Sequence, residues 1–221
     1  RERLFVNKTC HAADQKIAEQ FEHFMDAINP EYLTAEQKLK EKLLASKLSP
    51  KGYDIQMRNM KAEADLYRDA NVPLLSQEQK MISEYEKIIG SQTVQWDGEE
   101  KTITQLKPVY LDLDRSKREK AWRLSMERQL ADREAINTLW KRFLDLRLKL
   151  AENAGKPDYR AYRWQFWLRF DYTPEDGKNF HKAIEEAVVP AAVRIYEKRR
   201  RTLNMDTLRP WDLDVDPLGR K

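Results

Sequence analysis

The 221-residue chain has one cysteine, three histidines and six glycines. A lone Cys10 cannot close an internal disulfide. That excludes a disulfide-stapled scaffold and points to a reducing compartment, the cytoplasm. Few glycines argue against the many tight turns of a sheet sandwich. No apolar run approaches the roughly 18 residues a membrane helix needs, so no membrane partner is expected. No charged-then-apolar leader follows Arg1. The sequence also lacks G-x-S-x-G, C-x-x-C, H-E-x-x-H, and the glycine-rich loops that cradle phosphates. What is present is charge, 35% of residues, beside 41% hydrophobic residues. That balance excludes a disordered or collagen-like chain and suits one large or two small domains with a real core.

Helical periodicity dominates. Ile17, Phe21, Phe24 and Ile28 form one stripe, predicting a helix over about 11–28 that Asn29-Pro30 ends. Thr34 is expected to cap a short helix carrying Leu39, Leu43, Leu44 and Leu48. Ser49-Pro50 reads as the start of another, from Tyr53 to about Ala70. Ser76 with Gln79 reads as a capping box for a helix burying Ile82, Tyr85 and Ile89 and ending at Gly90. Val94 and Trp96 alternate with polar residues before Asp97-Gly98, which predicts a hairpin near 93–103. A short helix should follow at about 104–110.

The second half reads as longer helices. Asp114 caps one to about 130, and Asp132 caps another to about Asn153, closed by Gly155. Ile136, Leu139, Trp140, Phe143, Leu146 and Leu150 cover more than one stripe, so that helix should be largely buried. The segment 158–170 carries Tyr159, Tyr162, Phe166 and Phe170 on one face and Trp164, Trp167 and Leu168 on others. It too reads as buried, with Arg160, Arg163 and Arg169 pairing with acids or lying over rings. Thr173-Pro174-Glu175-Asp176 starts a helix reaching about Asn204, which Pro190 should bend or break near Val188. The halves differ in charge, net −2 over 1–110 and net +6 over 111–221, and five of six tryptophans lie in the second.

Candidate chemistry is sparse. His11 and His23, read as sharing a helix, would stand about 18 Å apart along its axis and could not reach one ion. Glu19 with His23, and His181 with Glu185, are i, i+4 neighbours. Without a third ligand each reads as a surface pair. Cys10 beside His11 has no orienting residue and reads as a structural thiol. Lys198-Arg199-Arg200-Arg201 with Arg194 is a basic stretch, but Glu197 interrupts it. A cationic helix C-terminus explains it better than nucleic-acid binding, so no nucleic-acid partner is expected. The 158–170 helix reads as core, with the wall of a ligand channel as the alternative. The residues alone stop at an all-helical scaffold without a visible active site.

A resemblance carries the reading further. Ala121-Trp122-Arg123, Ile136-Asn137, Leu139-Trp140, Leu146-Arg147 and Ala151-Glu152-Asn153-Ala154-Gly155 resemble the oligoendopeptidase F group of zinc metallopeptidases, related to thimet oligopeptidase. So do Tyr159-Arg160 with Tyr162, Arg169 through Asp176, Phe180-His181, Ala183-Ile184-Glu185, Val189-Pro190, Leu208-Arg209-Pro210-Trp211-Asp212 and Asp216-Pro217. The likeness is specific from about 114 onward and looser before it, where Asp97-Gly98-Glu99 and Asp114-Arg115 stand in the expected order. It implies helical lobes around a deep channel. It also implies a zinc held by H-E-x-x-H and a further Glu, and short peptides cut internally.

No H-E-x-x-H exists here, and in that group it lies beyond the Arg-Pro-Trp-Asp stretch. No catalytic, cofactor-binding or metal-ligating residue is therefore assigned. The aromatic helix and the Arg209–Asp212 turn are the candidates for scaffold near the channel. The expectation is a mainly α, multi-helix lobe with one small β-hairpin, part of a larger helical peptidase fold. Residues 1–113 would be an N-terminal lobe and 114–221 the start of a catalytic domain. Asp216-Pro217-Leu218-Gly219 reads as a turn into a further element, so the chain is expected to be a fragment. The expected partners are short peptides and the expected cofactor is one zinc ion held elsewhere. A non-catalytic interaction module on the same scaffold is the alternative. Oligomeric state is not legible.

Overall fold

The computed structural model describes residues 2–11 and 14–220. Its elements are helices and one hairpin, as expected. The start of the first expected helix falls partly on Ala12 and Ala13, outside the described residues. The chain divides into two compact units, each built from two segments. Unit 1 is Arg1–Gly90 with Glu134–Asp171, and unit 2 is Ser91–Arg133 with Tyr172–Lys221. The sequence division expected at 113/114 falls inside unit 2.

Unit 1 holds α1 (Glu2–Cys10), α2 (Gln15–His23), α3 (Asn29–Ala45), α4 (Asp54–Leu66) and α5 (Val72–Gly90). It also holds nearly all of α7 (Arg133–Asn153) and α8 (Tyr159–Phe166). Asp14 caps α2 by accepting from the Ile17 N–H at 3.1 Å. Asn29-Pro30 does not end that helix. A five-residue π turn, Phe24–Ile28, carries it into α3, and the Asn29 N–H bonds the Phe24 carbonyl. Pro30, with no N–H to give, then sits in the first turn of α3, where none is needed. The wider turn shifts the stripe: Met25 is buried and Ile28 is half exposed.

Other sequence expectations give way to tertiary contacts. α3 runs through Thr34, whose hydroxyl meets the Tyr67 hydroxyl at 3.3 Å instead of capping a helix. Ser49-Pro50 stays in a loop, and α4 begins at Asp54. α5 begins at Val72, so Ser76 lies inside it and donates to the Met25 carbonyl at 3.0 Å. Met81 is buried on α5, whereas Tyr85 and Ile89 are exposed. On α7, Leu139, Phe143, Leu146 and Leu150 are buried but Trp140 is 60% exposed. The helix therefore buries one stripe, not its whole surface. Its end has the left-handed cap the sequence predicted. Gly155 has φ 68°, and Lys156 N–H bonds Ala151 O while Gly155 N–H bonds Glu152 O.

The unit 1 core joins Leu66, Met81, Leu139, Phe143, Leu150 and Tyr162. Polar ties run through it. Asn71 donates to the Leu150 carbonyl at 3.0 Å and accepts from Asn153 at 2.8 Å. Glu78, buried, accepts from Arg147 Nε at 2.8 Å.

Unit 2 holds β1 (Thr93–Trp96), β2 (Glu99–Thr102), α6 (Arg115–Ala131), α9 (Pro174–Ala183) and α10 (Val189–Thr202). The strands pair antiparallel, with Trp96 opposite Glu99. Asp97 and Gly98 both have positive φ, 53° and 83°, which is the two-residue turn the dipeptide predicted. Val94 and Trp96 point the same way and pack with Leu106 and Ala121. The stretch 104–111 is a 3₁₀ helix, and α6 is capped by Asp114. Thr173 and Asp176 form a reciprocal capping box at the start of α9.

Pro190 interrupts the α hydrogen bonding as expected, through a second π turn, Ile184–Val188. The Val189 N–H reaches back five residues to Ile184 O, and Pro190 falls in the first turn of α10. The proline therefore widens the helix by one turn instead of breaking it.

Candidate functional site

The histidines and the cysteine do not converge. His11 follows α1 and His23 ends α2, so the two do not share a helix as the sequence reading had it. Glu19 accepts from Gln15 on its own helix, and Cys10 is exposed. His181 and Glu185 are exposed along α9 and the π turn after it. Among the described residues no group of three His, Cys, Asp or Glu side chains could hold a metal ion. The residues present therefore do not fit a zinc centre.

The basic stretch is largely engaged by its own unit. Arg199 donates to the carbonyls of Val215 and Asp212. Arg200 and Arg201 both bind Glu197, and Arg200 also reaches the Met205 carbonyl. Those guanidinium hydrogen bonds hold the Glu197 carboxyl down at about 2.

The aromatic segment is shorter and more exposed than the sequence suggested. α8 stops at Phe166, and Leu168 follows with φ 54° in a left-handed cap closed by Arg169 N–H to Trp164 O. Only Tyr162 is buried; Phe166, Trp167 and Phe170 are between 39% and 51% exposed. The reading of a helix buried all round is thus corrected. The arginines do lie over rings. Arg163 stands 4.5 Å and Arg169 4.4 Å from the Trp167 centroid. Tyr159, Tyr162 and Phe166 stack in a row at 5.9 and 6.2 Å. Tyr162 and Phe166 also line a cavity in unit 1.

The most highly organised polar cluster is the Arg209–Asp212 turn in unit 2. Asp212 is fully buried on a short 3₁₀ turn, Pro210–Asp212. Its Oδ1 accepts from Arg115 Nε and Arg118 Nη2, both at 3.0 Å. Its Oδ2 accepts from Arg115 Nη2 at 2.8 Å and from the Arg209 N–H at 2.9 Å. Burial alone would raise the carboxyl, but Arg115, the Arg209 amide and Arg118 outweigh it and hold Asp212 below the usual carboxylate range. Arg118, 1% exposed, also donates to the carbonyls of Trp211, Asp112 and Leu113. Trp211 packs at 5.2 Å on Trp122, with the Arg123 guanidinium 5.2 Å from its ring.

This arrangement is a clamp. A carboxylate has about four lone-pair sites, and all four of these are occupied, so Asp212 has none left to take a proton or attack a substrate. The cluster ties the turn near the C-terminal end of unit 2 to the start of α6. The sequence reading had the Arg-Pro-Trp-Asp turn but missed Arg118. On α6 the inward positions are Arg118, Ala121 and Ser125, small or polar residues that make no apolar stripe. Their 3- and 4-residue spacing is the only signal they leave.

Comparison with known proteins defines the class of scaffold. The fold is that of solved oligopeptidases. A protein described as an oligoendopeptidase F from Bacillus anthracis str. Ames superposes with a TM-score of 0.84 at 19% identity, over 96% of this chain and 40% of that one. A second structure described as oligoendopeptidase F gives 0.91 at 20% identity, over 97% and 39%. PZ peptidase A with an inhibitor gives 0.89 at 23% identity, over 97% and 39%. The chain thus spans about two fifths of the length of these proteins. Residues 110–216 match the model of Peptidase family M3. No curated protein matches the chain's sequence. The resemblance to the oligoendopeptidase F group drawn from the sequence is borne out, and the matched span is the one where that resemblance is specific.

Proposed function

We propose that this chain forms the helical scaffold portion of a zinc-dependent oligoendopeptidase that hydrolyses internal bonds of short peptides. The observation that carries the reading is the Peptidase family M3 pattern over 110–216, laid on a fold shared along 97% of the chain with PZ peptidase A. The reading places the zinc ligands and the general base outside these 221 residues, because the described residues offer no ligand set. This chain's own part is to hold helices in place: the Asp212 clamp fixes the turn at Arg209, and the α7 stripe fixes α8. The single cysteine supports a reducing, cytoplasmic setting. No helix among the described residues is long and apolar enough to cross a membrane.

The test is cleavage of a quenched fluorescent peptide by this chain and by the complete product of its gene, with added zinc and with chelator. The reading expects chelator-sensitive turnover by the complete product and none by the chain alone. Turnover by the 221 residues would show an active site within them. An inactive, metal-free complete product would leave the non-catalytic interaction module in its place.

A further inference from the structure

Helix α8 and the turn after it carry an exposed aromatic surface on unit 1. Phe166, Trp167 and Phe170 are 45%, 51% and 39% exposed. Three arginines lie over these rings. Arg163 stands 4.4 Å from the Phe166 centroid and 4.5 Å from that of Trp167, and Arg169 stands 4.4 Å from Trp167. Arg58, from α4, stands 4.4 Å from Phe170. Gln165 fixes α8 to α4, donating to the Ala62 carbonyl and to Asp65, both at 2.8 Å.

The charge around this surface does not balance. Asp158 meets Arg160 at 3.7 Å, and Asp171 meets Arg58 at 3.9 Å. Asp65 accepts from Lys156 at 3.1 Å as well as from Gln165. Glu78, which the Tyr159 hydroxyl reaches, is bound by Arg147 at 2.8 Å. Each of these carboxylates thus has its own cation. Arg163 has no carboxylate. It is half-buried, its contacts are the rings of Tyr159, Phe166 and Trp167, and no described carboxylate or carbonyl accepts from it. A guanidinium held on ring faces is restrained, and its planar N–H fork suits a carboxylate taken in two parallel bonds. Arginine and aromatic side chains are also the common anchors of protein interfaces.

We propose that this surface docks an acidic peptide segment that also carries an apolar side chain. A carboxylate of the segment accepts from Arg163, and the apolar side chain lies against Phe166, Trp167 and Phe170. Charge complementarity selects the occupant, since a basic segment would meet Arg58, Arg163 and Arg169 together. A single-stranded nucleic acid is also anionic, but it gains much of its affinity by stacking bases on aromatic faces. The Trp167 ring is already in contact with two guanidinium groups, which a stacking base would have to displace. Docking is non-covalent and breaks no bond, so it does not rest on the peptidase reading.

The experiment titrates the chain with an end-blocked peptide of four glutamates around one phenylalanine, by calorimetry and by amide chemical shifts. The same peptide with glutamines is the uncharged control. Saturable binding is expected near about 100 µM in low salt, at least about tenfold tighter than the control, and weaker in about 0.5 M salt. Shift changes should concentrate in 163–170. Arg163→Gln should weaken binding about tenfold, and Arg163→Lys should restore only part of it, because an ammonium lacks the planar fork. Trp167→Ala should weaken it about tenfold too. Arg194→Gln, in the basic stretch of unit 2, should bind as the native chain does. Cooperative unfolding of each variant confirms its fold. Arg58→Gln, at the rim, should weaken binding about threefold and serves if the Arg163 variants do not fold. No saturation by about 2 mM overturns the proposal. So do equal binding of the two peptides, shift changes centred on 194–201, and unchanged affinity in both Arg163→Gln and Trp167→Ala. Tighter binding of a thymidine oligonucleotide than of the acidic peptide would overturn it in favour of nucleic acid.

Discussion

Asp212 shows how a single residue can look catalytic and be structural. It is buried, ionised and ringed by arginines, features that often mark active sites. The deciding fact is that every acceptor site on its carboxylate is already taken by Arg115, Arg118 and the Arg209 amide. Asp212→Asn keeps the shape but leaves Arg118 buried beside a neutral amide. Breaking a buried pair in this way costs about 3–5 kcal/mol. Urea unfolding at pH 7 should show a loss of that order, and a loss below about 1 kcal/mol would contradict the clamp. The pH dependence has a definite sign. A carboxyl whose folded pKa is depressed contributes stability above its unfolded value, about 3.9 for Asp, and loses it as pH falls through the lower folded value. The gap between the native chain and Asp212→Asn should therefore be full at neutral pH and shrink below about pH 4.

At the scale of elements, both internal prolines of the long helices are handled alike. Pro30 and Pro190 each follow a five-residue π turn and sit in the first turn of the α-helix beyond it. A proline in a regular helix interior costs about 3 kcal/mol, largely through a missing hydrogen bond and a ring clash. Here the turn before it is already widened, so Pro190→Ala should change stability by less than about 1 kcal/mol, read by urea unfolding. A gain near the full interior cost would show that the π turn does not relieve the proline. Gly155 is the opposite case. A Cβ there would meet nothing within 4 Å, so any penalty comes from the backbone at φ 68°. Gly155→Ala should destabilise by about 1–2 kcal/mol, measured by thermal unfolding, and no loss would contradict the left-handed cap.

These cases also show what was legible. Asp97-Gly98, Gly155 and Thr173–Asp176 were readable because their chemistry acts within four residues. The start of α5 at Val72, the course of α3 past Thr34 and the inward turn of Met25 depend on neighbours far along the chain. α1 was missed because its residues make only a weak stripe; its one buried side chain is Lys8, held by Glu86 and Ser83. Of the candidate site, the Arg-Pro-Trp-Asp turn was legible as a pattern. Its partners Arg115 and Arg118 lie more than ninety residues earlier in the chain, and no periodicity links them.

For the whole molecule, the telling feature is apolar surface left open. α7 exposes Trp140, Leu144 and Leu148, and the α9–α10 stretch exposes Phe180, Val188, Val193 and Ile195. No residue of α9, the π turn or α10 is buried. Faces of this kind mark interaction surfaces or association hazards. The chain should therefore self-associate at micromolar concentration in sedimentation velocity, and Phe180→Glu with Val193→Glu should reduce it. A strict monomer throughout that range would contradict this. The role proposed for these 221 residues is that of a peptidase scaffold whose catalytic centre lies outside them. The quenched-peptide assay with added zinc, comparing this chain with the complete gene product, tests it most directly. The account predicts turnover, abolished by chelator, from the complete product and none above buffer from the chain. Metal-dependent cleavage by the chain at a comparable rate would contradict it.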